Sequence, residues 1–358
     1  MDSGTDNTRY GNDIISGGFD ESNQIRIVVF GAGGGGGNTV NRLCRMGIQG
    51  AELAAANTDA QDLRKLDEKI TKILIGAKIT RGLGAGGFPE VGMKAAEASK
   101  NDLTQYLEGT QLMFLCAGMG GGTGTGSAPV IAEIGREVGA IVVAFVTYPF
   151  KLERARINKA CEGIARLRQA ADTVIVLDNN KLVDYVPNLP IDKAFLVGDE
   201  VVSRAVKGIT ETLKAPSLIN LDFADIRAVL GGGKVSMISI GDGEGPERIE
   251  EGVRSTLEHP LLDVDYKGAK GALIHITGGD DLTIGEANRI GELITQEFDS
   301  SANVMWGARI NHEIQNRIEI IIIATGVRSK NILGLDDGRS SDYYGDSFRD
   351  DDFRIASL

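Results

Sequence analysis

Two glycine-rich stretches constrain this chain more than anything else in it. "GAGGGGGN" (31–38) follows the β-branched run "IRIVVF", and "GMGGGTGTGS" (118–127) follows the apolar run "QLMFLCA". Behind each comes a segment with helical spacing, "TVNRLCRM" and "VIAEIGREVG". A strand that passes into a helix through bare backbone leaves the first helical N–H groups unpaired and the positive end of the helix dipole exposed. Glycine lets a ligand approach that backbone and tolerates positive φ. Such a junction suits an anion. For the first stretch alone, a tight turn with no ligand remains an open alternative.

The rest of the chain repeats the alternation. Strands are expected at 52–56, 72–75, 112–117, 141–147 and 173–177, and helices at 90–107, 127–138 and 153–170. Near-continuous apolar strands alternating with helices predict an α/β fold with a mostly parallel sheet covered on both faces. Phe195, Val202, Val206, Ile209 and Leu213 recur at helical spacing after Pro190, which predicts one long central helix over 191–214. A second alternation follows, with strands at 235–240, 272–277, 303–310 and 317–325 and helices at 246–258 and 283–297. At 358 residues the chain is long for one core, so two domains are expected. The first covers 24–190, and the second, a smaller α/β unit, covers 215–327. Residues 1–23 and the acidic stretch 328–358 carry few apolar residues, which predicts a disordered N-terminal extension and a flexible tail.

Composition narrows the function classes. Glycine contributes 48 of 358 residues against a usual ~7%, clustered at loops without a period. That distribution favours close backbone approach to a ligand. A formal net charge of −12 argues against a nucleic-acid partner, which calls for a basic face. Cys44, Cys116 and Cys161 sit in apolar surroundings and suggest buried thiols in a reducing cytoplasm. No apolar run approaches the ~18 residues of a membrane span, and the acidic N-terminus is unlike a signal peptide. A cytoplasmic enzyme or assembly protein without direct membrane insertion is the expected class.

Familiar phosphate loops fit poorly. A Walker A loop carries Lys and Ser/Thr after its last glycine, where this chain has Asn38 and Thr39. "GAGGGG" satisfies the dinucleotide fingerprint, which would make the chain an NAD-dependent oxidoreductase with Glu52 or Asp59 on the ribose. That reading has no place for a second glycine loop. Two lysine-free loops at neighbouring strand ends would instead embrace a polyphosphate, with Thr123 and Thr125 as hydroxyl donors. Mg²⁺ carried on the phosphates would offset the remaining charge. The sequence leaves its protein ligands open.

The motif "GGGTGTGS" resembles the signature loop of the tubulin/FtsZ superfamily. "FGAGGGGGNTVNRL", "NTDAQDL", "GLGAGGFPEVG", "VTYPF", "INLDFADIRAV", "HPLLDVD" and "GALIHITGG" are similar to FtsZ motifs and stand in the FtsZ order. The resemblance covers roughly 24–327. It implies a GTPase (GTP to GDP and phosphate) that polymerises head-to-tail into the filaments of the cell-division ring. A tubulin-like cytoskeletal GTPase with a cell-shape role is the alternative.

The resemblance also implies roles for residues. Gly34, Gly35, Gly36, Gly37 and Asn38 on one side, and Gly121, Gly122, Thr123, Gly124 and Thr125 on the other, would hold the phosphates. Ala85, Gly86 and Gly87 would face the γ-phosphate, with Phe88 where Asn or Asp is expected, and Asp59 would lie near γ-phosphate and metal. Glu153 and Arg156 would contact the ribose, although Arg154 is an alternative because this segment is one residue short. Asn179 would read the purine edge, Phe195 would cover the ring, and Asp199 would accept from guanine N1–H and N2–H₂. Asn220, Asp222 and Asp225, in the loop 218–226, would complete the catalytic site of the next subunit. Locally, Asp222 also suits the N-cap of the "FADIRAVL" helix. The partners implied are other copies of the chain and a membrane adaptor protein at the C-terminal tail; the place implied is the cytoplasmic side of the division site.

Overall fold

Strands that are apolar at every position need cover on both faces. A computed structural model describes residues 25–214, 223–230, 236–259, 266–267, 269–296 and 298–327. Its first sheet comprises β1 (Ile27–Ala32), β2 (Glu52–Asn57), β3 (Thr71–Leu74), β4 (Leu112–Gly118), β5 (Ile141–Tyr148) and β6 (Thr173–Asp178). All five pairings are parallel, in the order β3-β2-β1-β4-β5-β6. The helices with this sheet are α1 (Gly33–Arg45), α2 (Ala60–Arg64), α3 (Ala77–Thr80), α4 (Pro89–Ala98), α5 (Lys100–Leu107), α6 (Thr123–Glu137), α7 (Arg154–Ala170) and α8 (Asn179–Tyr185). The long helix α9 (Ile191–Lys214) then leads to α10 (Phe223–Leu230) and the second unit.

Side chains alternate between the two faces of the sheet. Val28, Phe30, Met113 and Leu115 point toward α4 to α7, where Ala95, Leu103, Ile131 and Ile164 meet them. Ile27, Val29, Leu112 and Phe114 point toward α1 and α9, meeting Val40, Leu43 and Val202. Phe114 is wholly buried, worth on the order of 2–3 kcal/mol. The second sheet comprises β7 (Ser236–Glu244), β8 (Gly271–Gly278), β9 (Asn303–Ile310) and β10 (Arg317–Thr325), with α11 (Arg248–Leu257) and α12 (Ile284–Thr295). Its order is β7-β10-β8-β9; β10 is antiparallel to both neighbours and β8 is parallel to β9. Ala205, Val206 and Ile209 of α9 share one apolar core with Ile238, Ile274 and Ile321 of this sheet. Ionic contacts reinforce the joint: Arg204 reaches Asp242 at 2.7 Å and Glu319 at 3.0 Å.

The structure corrects several expected boundaries. The helix expected over 90–107 is two, because Ser99 leaves helical geometry (ψ 17°) and its Oγ accepts the Gly76 N–H at 3.0 Å. The helix expected from 127 begins at Thr123, and the one behind the first stretch begins at Gly33. Much of each glycine "loop" is therefore a first helical turn, concealed by glycine's low helix propensity. Strand β7 runs to Glu244 rather than 240, because its whole length pairs with β10. The extension 1–23, the tail 328–358 and most of the loop 218–226 lie outside the described residues. Among the described residues no helix is long and apolar enough to cross a membrane.

The second sheet holds a pH-sensitive core group. His275 on β8 is 4% exposed, and burial with Arg309 nearby pushes its imidazole down to about 4. The unfolded chain binds that proton from about 6.5, so between these values it carries more protons than the fold. Stability should therefore rise with pH from 4 to 6.5, and acidification across that window should cost about 3 kcal/mol at this group. Thermal unfolding midpoints over that range should show a shallower pH slope in His275→Leu than in the parent.

Candidate functional site

The strand order reverses between β1 and β4, with β2 and β3 on one side and β5 and β6 on the other. At such a switch point the connections leave in opposite directions and open a crevice at the carboxyl ends of the strands. Both glycine stretches emerge there, β1 into α1 and β4 into α6. The two turns touch through backbone. A Cβ on Gly36 would collide with the Cys116 carbonyl oxygen, and one on Gly33 (φ +72°) would lie 2.5 Å from the Gly124 nitrogen. Only glycine permits this approach.

Both helix starts are open to an anion. Neither α1 nor α6 has a side-chain cap, and neither carries an acidic residue in its first turn. Their first N–H groups therefore have no competing carboxylate from their own first turns. Gly35 and Asn38 are exposed, Gly34 and Gly121 half-buried, and Gly36, Gly37, Gly122 and Gly124 buried. Thr123 pairs with Thr58, their hydroxyl oxygens 2.6 Å apart. Thr125 is turned inward: it is 2% exposed and its Oγ1 accepts the Gly120 N–H at 2.9 Å. Its hydroxyl braces the loop.

A third wall comes from 82–88. A Cβ on Gly122 would lie 2.9 Å from Ala85 Cβ and from the Phe88 nitrogen, so this loop packs on the second glycine turn. Phe88 is 60% exposed, with the Lys159 ammonium 5.6 Å from its ring centroid. Lys159 also donates to the Gly87 carbonyl at 2.7 Å. Asp59 caps α2, accepting from the Gln61 N–H at 2.8 Å. Asp62 stands beside Gly34. No cluster of three His, Cys, Asp or Glu suited to a metal occurs among the described residues.

Farther along the crevice lies a cavity bounded by Thr39, Arg42, Asn179, Leu182, Phe195 and Asp199. Leu182 is buried and Phe195 half-buried, so the cavity offers apolar walls with a carboxylate at one end. Asp199 is buried and paired with Arg42 Nε. Burial pushes its carboxyl up, and the hydrogen bond from Arg42 opposes that shift. Glu153 accepts from Arg156 at 2.7 Å and from the Phe150 N–H at 3.1 Å. A Cβ on Gly120 would lie 2.8 Å from Arg156 Cβ, which seats Arg156 against the second turn.

Gly34 to Asn38 thus lie at the start of α1 and Gly121 to Thr125 at the start of α6, Arg156 packs on the second glycine turn and pairs with Glu153, and Asn179, Phe195 and Asp199 line the cavity. Asn220 and Asp222 lie outside the described residues; Asp225 is in the first turn of α10, with its side chain outside them. Arg42, Thr39, Thr58 and Lys159 were not anticipated. Arg42 carries a signal in hindsight, since it lies four residues after Asn38 on the same helix.

The packing of Gly122 yields a direct expectation. Gly122→Ala overpacks the joint between the second glycine turn and 85–88 and should cost about 1–3 kcal/mol. Thermal unfolding should show the lower midpoint; an unchanged midpoint would mean the contact has slack.

The chain as a whole is similar to known proteins. The tubulin/FtsZ family GTPase domain matches residues 26–187, and the FtsZ family C-terminal domain matches 233–328. Cell division protein FtsZ 2 of Methanocaldococcus jannaschii is 61% identical over 320 residues, 88% of this chain and 84% of that protein. Cell division protein FtsZ 2 of Halobacterium salinarum is 50% identical over 323 residues, 90% of this chain and 82% of that protein. An empty FtsZ dimer from M. jannaschii superposes with TM-score 0.78 at 44% identity, covering 87% of this chain and 94% of that one. Two matched domains in order, with identity across nearly the whole described chain, leave no room for the dinucleotide reading: this chain belongs to the FtsZ family.

Proposed function

We infer that this chain is a GTP-hydrolysing cell-division protein that assembles into filaments. The observation that carries the reading is the meeting of two uncapped, acid-free glycine helix starts at one switch point. Backbone N–H groups from both sides suit a nucleotide polyphosphate better than a single phosphate. Family membership supplies the nucleotide and the reaction, GTP to GDP and phosphate.

In this reading Gly34 to Asn38 and Gly121 to Thr123 hold the phosphates, with Gly124 setting the backbone approach and Thr125 bracing the loop from within. Ala85 to Gly87 meet the γ-phosphate. Glu153 and Arg156 take the ribose, Asn179 and Phe195 the purine, and Asp199 the guanine donors. The crevice fits a Mg²⁺ held chiefly by phosphate oxygens and water, since hard cations of this kind need only one or two protein carboxylates and Asp59 and Asp62 stand nearby. Bound there, the ion would offset phosphate charge.

Hydrolysis is assigned to two molecules. Asn220, Asp222 and Asp225 of one subunit orient and polarise the attacking water in the nucleotide site of the next. A contact of this head-to-tail kind gives open filaments. The same reading places the protein at the division site, with its acidic tail available to a membrane adaptor.

The shared site has a kinetic consequence. GTPase rate per molecule should rise with protein concentration above a threshold, because a lone subunit lacks part of its site. Asp225→Ala should bind GTP nearly as tightly as the parent, hydrolyse it at least tenfold more slowly, and form filaments that persist longer. Gly122→Ser, weak in nucleotide binding but intact at Asp225, should restore turnover to Asp225→Ala in co-assembled mixtures. A concentration-independent rate with no rescue in verified co-assemblies would place the whole site within one chain.

A further inference from the structure

The Asp199–Arg42 pair has chemistry beyond accepting a base. The Asp199 side chain is 6% exposed and that of Arg42 is 27% exposed. A carboxylate buried to that degree is costly unless it is paired. Its partner comes from the last turn of α1, whose first turns form a wall of the phosphate crevice. One rigid helix of 13 residues therefore links the phosphate end of the crevice to the base end.

We propose that Arg42 is a positioning residue for the guanine: it keeps the Asp199 carboxylate charged and fixes which of its acceptor positions face the base. This rests on the reading of the cavity as the guanine site. A carboxylate has about four lone-pair positions. Arg42 Nε occupies one of them, on Oδ2. The positions left on Oδ1 and Oδ2 are enough for guanine N1–H and N2–H. A protonated Asp199 would present an O–H toward those donors, and donor would face donor.

The surroundings leave the charge to Arg42. Thr39 and Arg42 face Asp199 from α1, the Cys116 thiol from β4 and Asp178 from β6 across the cavity. Burial pushes the Cys116 thiol up, so it stays neutral. Asp178 is a second acid, engaged with the Asn180 backbone N–H at 2.9 Å. Leu182 and Phe195 offer no charge. Burial also pushes the Asp199 carboxyl up, and the Arg42 hydrogen bond and charge are the largest of the effects that oppose it. Removing the guanidinium should therefore push the Asp199 carboxyl further up and favour its protonated form.

The test is titration calorimetry of the full chain with GDP, IDP and ADP from pH 5.5 to 8.5. The readout is the ratio of GDP to ADP affinity, in which the titration of the shared diphosphate cancels. In the parent this ratio should favour GDP and change little with pH. In Arg42→Met it should fall about tenfold or more at the acid end and recover toward the parent as pH rises, since one unit of pKa is tenfold. Arg42→Lys, which keeps the charge, should stay flat. Arg42→Gln, which keeps a donor without the charge, should follow Arg42→Met and serves in its place if the methionine variant does not fold. IDP, lacking N2–H₂, should lose less than GDP in each uncharged variant. A parent with no preference for GDP over ADP would defeat the guanine reading itself. A parent that prefers GDP, with Arg42→Met and Arg42→Gln either unchanged or weakened equally at every pH, would leave that reading intact and overturn the role of Arg42.

Discussion

Everything at the crevice depends on the backbone contact between α1 and α6. Gly33 lies against Gly124, and Gly36 against the Cys116 carbonyl. No side chain fits between them, so the two helix starts are held at the separation of packed main chain. Each start alone is a weak anion site. Two starts fixed side by side present N–H groups and dipole ends from two directions to the same group, without reorganisation on binding. The absence of acidic residues from both first turns has the same logic. A carboxylate there would stabilise each helix and occupy the site.

Helix α9 carries the consequences of that site to the rest of the molecule. Its first turns supply Phe195 and Asp199 to the cavity, and its middle buries Ala205, Val206 and Ile209 in the core shared with the second sheet. Arg204, between those two regions, is tied to Asp242 on β7 and Glu319 on β10. A shift of α9 at the base is thus felt by the second sheet through packing and through a paired, partly buried charge. Breaking such a pair by removing one partner costs about 3–5 kcal/mol in buried settings, and less here where Asp242 and Glu319 are about a third exposed.

The parts of the fold legible in the sequence are those set by local pattern. The apolar runs of β1, β4 and β5 announced a parallel sheet, and the period of Phe195, Val202, Val206 and Ile209 announced α9. The glycine stretches marked both strand-to-helix junctions. What local pattern does not contain is which strands are neighbours: that β1 lies beside β4, and so that the two junctions form one crevice, comes from the strand order. The break at Ser99 depends on a hydrogen bond to Gly76, 23 residues away. The Arg42–Asp199 pair spans 157 residues, and neither member has a pattern that names the other. Thr125 looked like a phosphate donor because hydroxyls beside glycines often are; its inward turn follows from packing.

In the proposed reading one nucleotide spans both glycine helix starts and the Asp199 cavity. The most direct test of that reading is the position of bound GDP in a crystal structure of the complex. The diphosphate should lie between the N-termini of α1 and α6, the ribose near Glu153 and Arg156, and the guanine under Phe195 with N1 and N2 on Asp199. A diphosphate seated on only one of the two helix starts, or a base outside the cavity with Asp199 still enclosed by Arg42 alone, would contradict it.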